Sequence, residues 1–141
     1  MSAAPFISTL VAVALIPVAF LFTHAIVSGR RKLRYHSVTG GVGIVWDLGL
    51  SIFYMLYRLF GGNVESHVLD IDPGMVVYFA VHGLIAAVVI GLELVVLATG
   101  MIQVVRKKKV LLHKRLSLPL YVLWFGAFLS GEVVYVMYYI L

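Results

Sequence analysis

The fold class that this 141-residue sequence predicts is an all-α membrane protein, an antiparallel four-helix transmembrane bundle with both termini outside. Three observations predict it. Four apolar stretches are each long enough to cross a bilayer, which takes about 20 residues of helix. Ten of the eleven Lys and Arg residues fall in two short clusters, Arg30, Arg31, Lys32, Arg34 and then Arg106, Lys107, Lys108, Lys109, Lys114, Arg115. Between them a loop carries Glu65, Asp70 and Asp72 and no cation. The positive-inside bias puts both basic loops in the cytoplasm, which leaves the acidic loop and the termini on the other side.

The first span covers about residues 4–28, with Pro17 as an expected kink that neighbouring helices accommodate. No positive residue precedes it, so it is read as a retained span and not a cleaved leader. The second covers about 37–60, with Ser37 as the expected N-cap and Gly61-Gly62-Asn63 as the stop. Asp72-Pro73-Gly74 is a turn signal that launches the third, about 75–105, which is long enough to tilt or to project from the bilayer. Ser117 and Pro119 open the fourth, about 118–141.

With 62% hydrophobic residues the chain has room for a single transmembrane domain, residues 1–141, and no soluble one. The formal charge of +5 is explained by anionic headgroups beside the span ends, so the lipid bilayer is the expected partner and nucleic acid is not. A multi-pass protein of the cell (plasma) membrane follows. There is no cysteine, which excludes disulfides, thiolate metal sites and Fe–S clusters. The lack of an extramembrane domain argues against an independent enzyme.

The two halves echo each other. Arg30-Arg31-Lys32 precedes His36 as Lys107-Lys108-Lys109 precedes His113, with an offset of 77 residues in both cases. Such a repeat relates two hairpins by a pseudo-two-fold axis along the membrane normal. Small residues at Gly83, Ala87 and Gly91, at Gly126 and Ser130, and at Gly40, Gly41 and Gly43 are expected at helix contacts. They would equally admit a flat cofactor.

Ionisable residues inside hydrocarbon are costly and point to function. His36, Asp47 and Arg58 are spaced by eleven, about three helical turns, and share one face of the second span. His82 and Glu93 do the same on the third, and Asp47 and Glu93 fall near the midplane. The fourth span offers Glu132 and the first His24. The bland readings are that Arg58 snorkels, that His36 and His113 are interfacial, and that Tyr54, Tyr57, Tyr135, Tyr138 and Tyr139 form an aromatic belt.

Two chemistries suit the pattern. Haem b takes axial histidines from facing helices, which His36 and His113 would supply, with His24 as a competitor. A second haem would use His82, with His67 from the outer loop and Arg58 near a propionate. The alternative is non-haem copper, iron or zinc held by His and carboxylate ligands, His82 and Glu132 first, with His36, His113 and His67 as further candidates. A cofactor-free structural subunit of a respiratory complex is the third reading. No HExxH or HxH spacing occurs.

Arg34-Tyr35-His36, Tyr57-Arg58 with His67 following, Tyr78 to His82, and His113-Lys114-Arg115-Leu116 form a series along the chain. Pro119-Leu120-Tyr121, Ser130-Gly131 and Tyr135-Val136-Met137 complete it. The series resembles a family of small membrane proteins of unknown function that includes an assembly factor for haem-A-type terminal oxidases. The resemblance covers most of residues 30–141. It departs in the wider spacing of His67 from Arg58 and in the position of Trp124. It singles out His36, His67, His82 and His113, leaves out His24, and implies a respiratory oxidase or other membrane redox complex as partner, in electron transport or oxidase assembly.

Overall fold

The computed structural model describes residues 6–32, 35–60 and 73–140, without the side chains of 58–60, 138 and 139. Four helices account for nearly all of them: α1 Phe6–Arg30, α2 His36–Phe60, α3 Pro73–Arg106 and α4 Leu111–Tyr135, the last continued by a π-turn over Val136–Ile140. All four are long and apolar enough to cross a membrane, and the described residues contain no strand. Their outward faces are apolar as well, with Phe6, Phe20, Leu84 and Val105 among the most exposed side chains. A helix that is apolar all round suits a lipid surrounding.

Helix starts follow local chemistry only in part. Pro73 opens α3, where its missing N–H costs nothing. Ser37 lies inside α2, which begins at His36, so it is not the cap. The start of α4 is the larger departure. It falls at Leu111, so Ser117 and Pro119 lie within the helix. In an apolar setting the backbone gains by satisfying its own groups, and a proline is tolerated inside the helix. Ser117 Oγ donates back to the His113 carbonyl at 2.5 Å, an in-helix use of a residue type that elsewhere caps. The earlier start puts His113 on α4.

Both basic turns pivot on a lysine in the left-handed region, Lys32 at φ 54° after α1 and Lys107 at φ 51° after α3. The second turn is closed by Val110 N–H donating to Gln103 Oε1 at 2.8 Å.

Helix α1 packs on α2 and α4, and α3 packs on α4 and, less extensively, on α2, so α1–α3 and α2–α4 are the diagonals. Trp46 Nε1–H donates to the Ala14 carbonyl at 3.1 Å and His24 hydrogen-bonds Thr39 at 3.0 Å between α1 and α2. Thr9–Tyr135 and Thr23–Tyr121 hydroxyl bonds of 2.8 and 2.9 Å join α1 to α4. The core is Val18, Phe22, Ile44, Leu48, Val89, Val96, Leu120 and Trp124. Trp124 stands at its centre, with Phe22 edge-on at 4.9 Å and Phe128 stacked at 5.1 Å.

Of the glycines expected at helix contacts, Gly40 and Gly43 are at one and the others are not. An added Cβ at Gly41, Gly83, Gly91 or Gly126 would meet nothing within 4 Å. At Gly29 it would lie 2.8 Å from the His36 ring, at Gly100 3.0 Å from the His113 ring, and at Gly43 2.8 Å from Phe22. Glycine here makes room for rings across helices, not for backbones.

Candidate functional site

At the basic end of the bundle His36 and His113 converge across the α2–α4 diagonal. Their ring centres are 6.2 Å apart and their planes cross at 82°. Each ring is tethered through Nδ1 to a carbonyl of the preceding helix, His36 to Ala25 at 2.6 Å and His113 to Val96 at 3.0 Å. A carbonyl only accepts, so Nδ1 of each ring carries a proton, and in the neutral form of the imidazole Nε2 holds the lone pair. The glycine seat follows four residues after the tethering carbonyl in both halves, Ala25 then Gly29 and Val96 then Gly100. Thr99 Oγ1 adds a 3.2 Å contact to His113 Nδ1.

The two rings line a cavity of about 360 Å³ that draws on all four helices, walled mainly by Phe22, Ile44, Val96, Leu97, Leu120 and Tyr121. That volume lies in the range of small-molecule sites, about 300–1,000 Å³. Apart from the imidazoles its walls carry few polar atoms, so it suits a mainly apolar ligand.

A second cavity of about 340 Å³ occupies the half of the bundle away from the basic turns. Ser8, Asp47, Ser51, Tyr54, His82 and Glu132 supply its polar atoms. His82 makes no hydrogen bond to Glu132, the carboxylate grouped with it as a candidate metal ligand. Its Nδ1 meets Ser130 Oγ at 2.6 Å, and Ser130 in turn donates to the Ala127 carbonyl at 2.8 Å. Glu132 lies two residues along α4 from Ser130, on a different face. The second haem site drawn around His82, His67 and Arg58 lies largely outside the described residues, since His67 and the Arg58 side chain are not among them. Among the described residues no three of His, Asp or Glu gather as metal ligands. His24 is exposed, bonds Thr39, and does not line the cavity at the basic end.

Between the two cavities lies a buried polar centre. Trp124 Nε1–H donates to Asp47 Oδ1 at 2.9 Å, with Trp124 and Asp47 each 3% exposed. Glu93 beside them is 0% exposed and neither of its carboxyl oxygens has a hydrogen-bond partner of ordinary geometry, although the Asp47 carboxyl acts on it at close range. The Trp124 donor, the Ser130 acceptor and the Gly29 and Gly100 seats were not picked out by the sequence pattern. One signal was there to be used: Trp124 follows Asp47 by 77 residues, the offset that relates His113 to His36.

Comparison with protein-family models, with curated proteins and with solved structures finds no match to this chain.

Proposed function

We propose that this is a membrane haem protein of b type, with His36 and His113 as the two axial ligands, serving electron transfer or the assembly of a terminal oxidase and not a turnover reaction of its own. The observation that carries it is the histidine pair. With a metal–imidazole nitrogen distance of about 2.0 Å on each side, the ring centres of two axial histidines stand roughly 6 Å apart. The pair here is at 6.2 Å.

The surroundings support the same reading. Nδ1 tethers of the kind made to Ala25 and Val96 fix ring orientation and leave Nε2 to ligate. The cavity that both rings line is apolar, and Arg30, Arg106, Lys114 and Arg115 lie in sequence near its basic end, as propionates require. When bound, the haem supplies one-electron chemistry. The chain's own part is to hold two neutral imidazoles opposite each other, keep water from the ring faces, and place cations at the rim. Of the residues the resemblance singles out, this reading uses His36 and His113; it assigns no ligand role to His82, His67, His24, Arg58 or Glu132.

The helices run up, down, up and down, with both basic turns in the cytoplasm and the termini outside, in the cell membrane. The charge clusters support that orientation, and the pairing of Ala14 with Trp46 and Ala25 with His36 supports antiparallel neighbours. The partner is a respiratory oxidase or a similar redox complex.

An absorption spectrum of gently purified protein tests the proposal. A Soret band with α and β bands in the reduced form, abolished by His36→Ala and by His113→Ala and retained in His24→Ala, is expected. A colourless protein carrying stoichiometric copper, iron or zinc, or no cofactor at all, overturns it.

A further inference from the structure

The Asp47–Glu93 pair plays no part in holding a ligand between the two imidazoles. Eleven residues separate Asp47 from His36, so it stands about 16 Å further along α2. Glu93 is fully buried, and apart from the adjoining Asp47 carboxyl neither of its oxygens has a hydrogen-bond partner. A buried carboxyl in that condition is costly, and something must answer it. Asp47 is better placed, since it accepts the Trp124 indole N–H and is also bonded by Ser51, one turn along its own helix.

Among the described residues no Lys or Arg pairs with either carboxyl. Arg58 is the sole Lys or Arg between Arg34 and Arg106, and it is eleven residues past Asp47. Lys114 and Arg115 precede Trp124 on α4 by ten and nine residues. Helix α1 brings Val18 and Phe22 to this level of the core and nothing titratable. His82 of α3, Glu132 and Tyr135 of α4 and Tyr54 of α2 are the other titratable groups lining the cavity that Asp47 lines. Two carboxyls in contact in such a place would hold one proton between them, because like charges side by side in a buried setting cannot both persist. The shared proton supplies the one donor the pair lacks. A bound metal ion would need more oxygen ligands than two, and no such group gathers among the described residues.

We propose that Asp47 and Glu93 form a proton-binding site in the middle of the bundle, loaded and unloaded through the cavity on the side away from the basic turns. Asp47 is the entry residue, for it lines that cavity with Ser51, Tyr54, His82 and Glu132, and Glu93 stands behind it. A proton arriving along the cavity bonds to an Asp47 oxygen. It passes on as that O–H bond breaks and one to Glu93 forms. One proton moves, and no electrons are transferred. The indole N–H of Trp124 holds Asp47 at the junction throughout.

Infrared spectroscopy of the full-length protein in phospholipid vesicles tests this. At neutral pH a protonated-carboxyl C=O band is expected, shifting on transfer to D₂O, altered by Glu93→Gln and by Asp47→Asn, removed in the double variant and kept in Glu132→Gln. A membrane-soluble carbodiimide, which attacks protonated carboxyls, should modify Glu93 or Asp47 of the unaltered protein, a readout independent of whether the variants fold. Absence of both the band and the labelling overturns the proposal. So does a band that survives the double variant, or one that D₂O never shifts.

Discussion

Asp47 on α2 and Trp124 on α4 are joined by a buried 2.9 Å hydrogen bond across the bundle diagonal, at the same 77-residue separation as His36 and His113. On the neighbouring helices Glu93 and Phe22 are 71 residues apart, as Val96 and Ala25 are. Glu93 therefore stands to Asp47 as Phe22 stands to Trp124, its edge-on partner at 4.9 Å. The two halves keep corresponding positions and fill them with opposite chemistry, carboxyls on one side and aromatic rings on the other.

Removing the indole donor should expose how much that bond contributes. Trp124→Phe keeps a ring against Phe22 and Phe128 but leaves Asp47 short of a donor, at an expected cost of about 1–3 kcal/mol. Unfolding by a denaturing detergent measures it, and a change within error would mean that solvent reaches Asp47 instead.

The glycine seats give a test of the histidine pair that does not touch a ligand. Gly29→Ala and Gly100→Ala place a Cβ within about 3 Å of an imidazole and should displace it. A fall in haem affinity of roughly tenfold or more is expected, the size typical of losing a group that orients a ligand. Gly41→Ala and Gly126→Ala, which open onto free space, should retain haem as the unaltered protein does.

Lys32 and Lys107 sit where glycine is favoured, since a side chain in the left-handed region costs roughly 1–2 kcal/mol. Lys32→Gly and Lys107→Gly should each stabilise the fold by up to about that amount, less what glycine loses through the unfolded chain. Equal or lower resistance to unfolding would show that the lysines are held by headgroup contacts.

His82→Ala should leave the haem spectrum intact, because among the described residues its ring hydrogen-bonds Ser130 and does not line the cavity of His36 and His113. The expected loss is small, about 0.6 kcal/mol for an interhelical hydrogen bond in a membrane protein. Disappearance of the α band in this variant would move the site to the other cavity.

The absence of native cysteine makes the orientation directly testable. Cysteine at Lys108, exposed in the second basic turn, and at Ser66, outside the described residues, should react with an impermeant thiol reagent from opposite faces of the membrane. Labelling of both from one face would refute the arrangement.

The four long apolar helices were legible because length and hydropathy decide them without reference to any neighbour. The basic-cluster-to-histidine repeat likewise pointed to His36 and His113, which the fold brings together. Ser117 and Pro119 misled about where α4 starts because capping preference describes helix ends in water, whereas here the helix runs on through both. Gly83 and Gly91 misled in another way. Small residues at four-residue spacing report that backbones are able to approach, not that they do. The Ser130 partner of His82 and the Trp124 donor depend on how α4 is rotated against α2 and α3, which no spacing within one helix reveals.

The uneven packing of the four helices gives the bundle a spine and a fore-edge. Helices α1 and α4 are laced by the Thr9–Tyr135 and Thr23–Tyr121 bonds, while the α2–α3 seam is the least extensive of the contacts. Among the described residues, parting the two hairpins would therefore break least along α2 and α3, with α1 and α4 as the bound edge. The cavity that both imidazoles line has most of its wall on these same two helices, with Gly40, Gly41 and Ile44 on α2 and Val96, Gly100 and Val104 on α3.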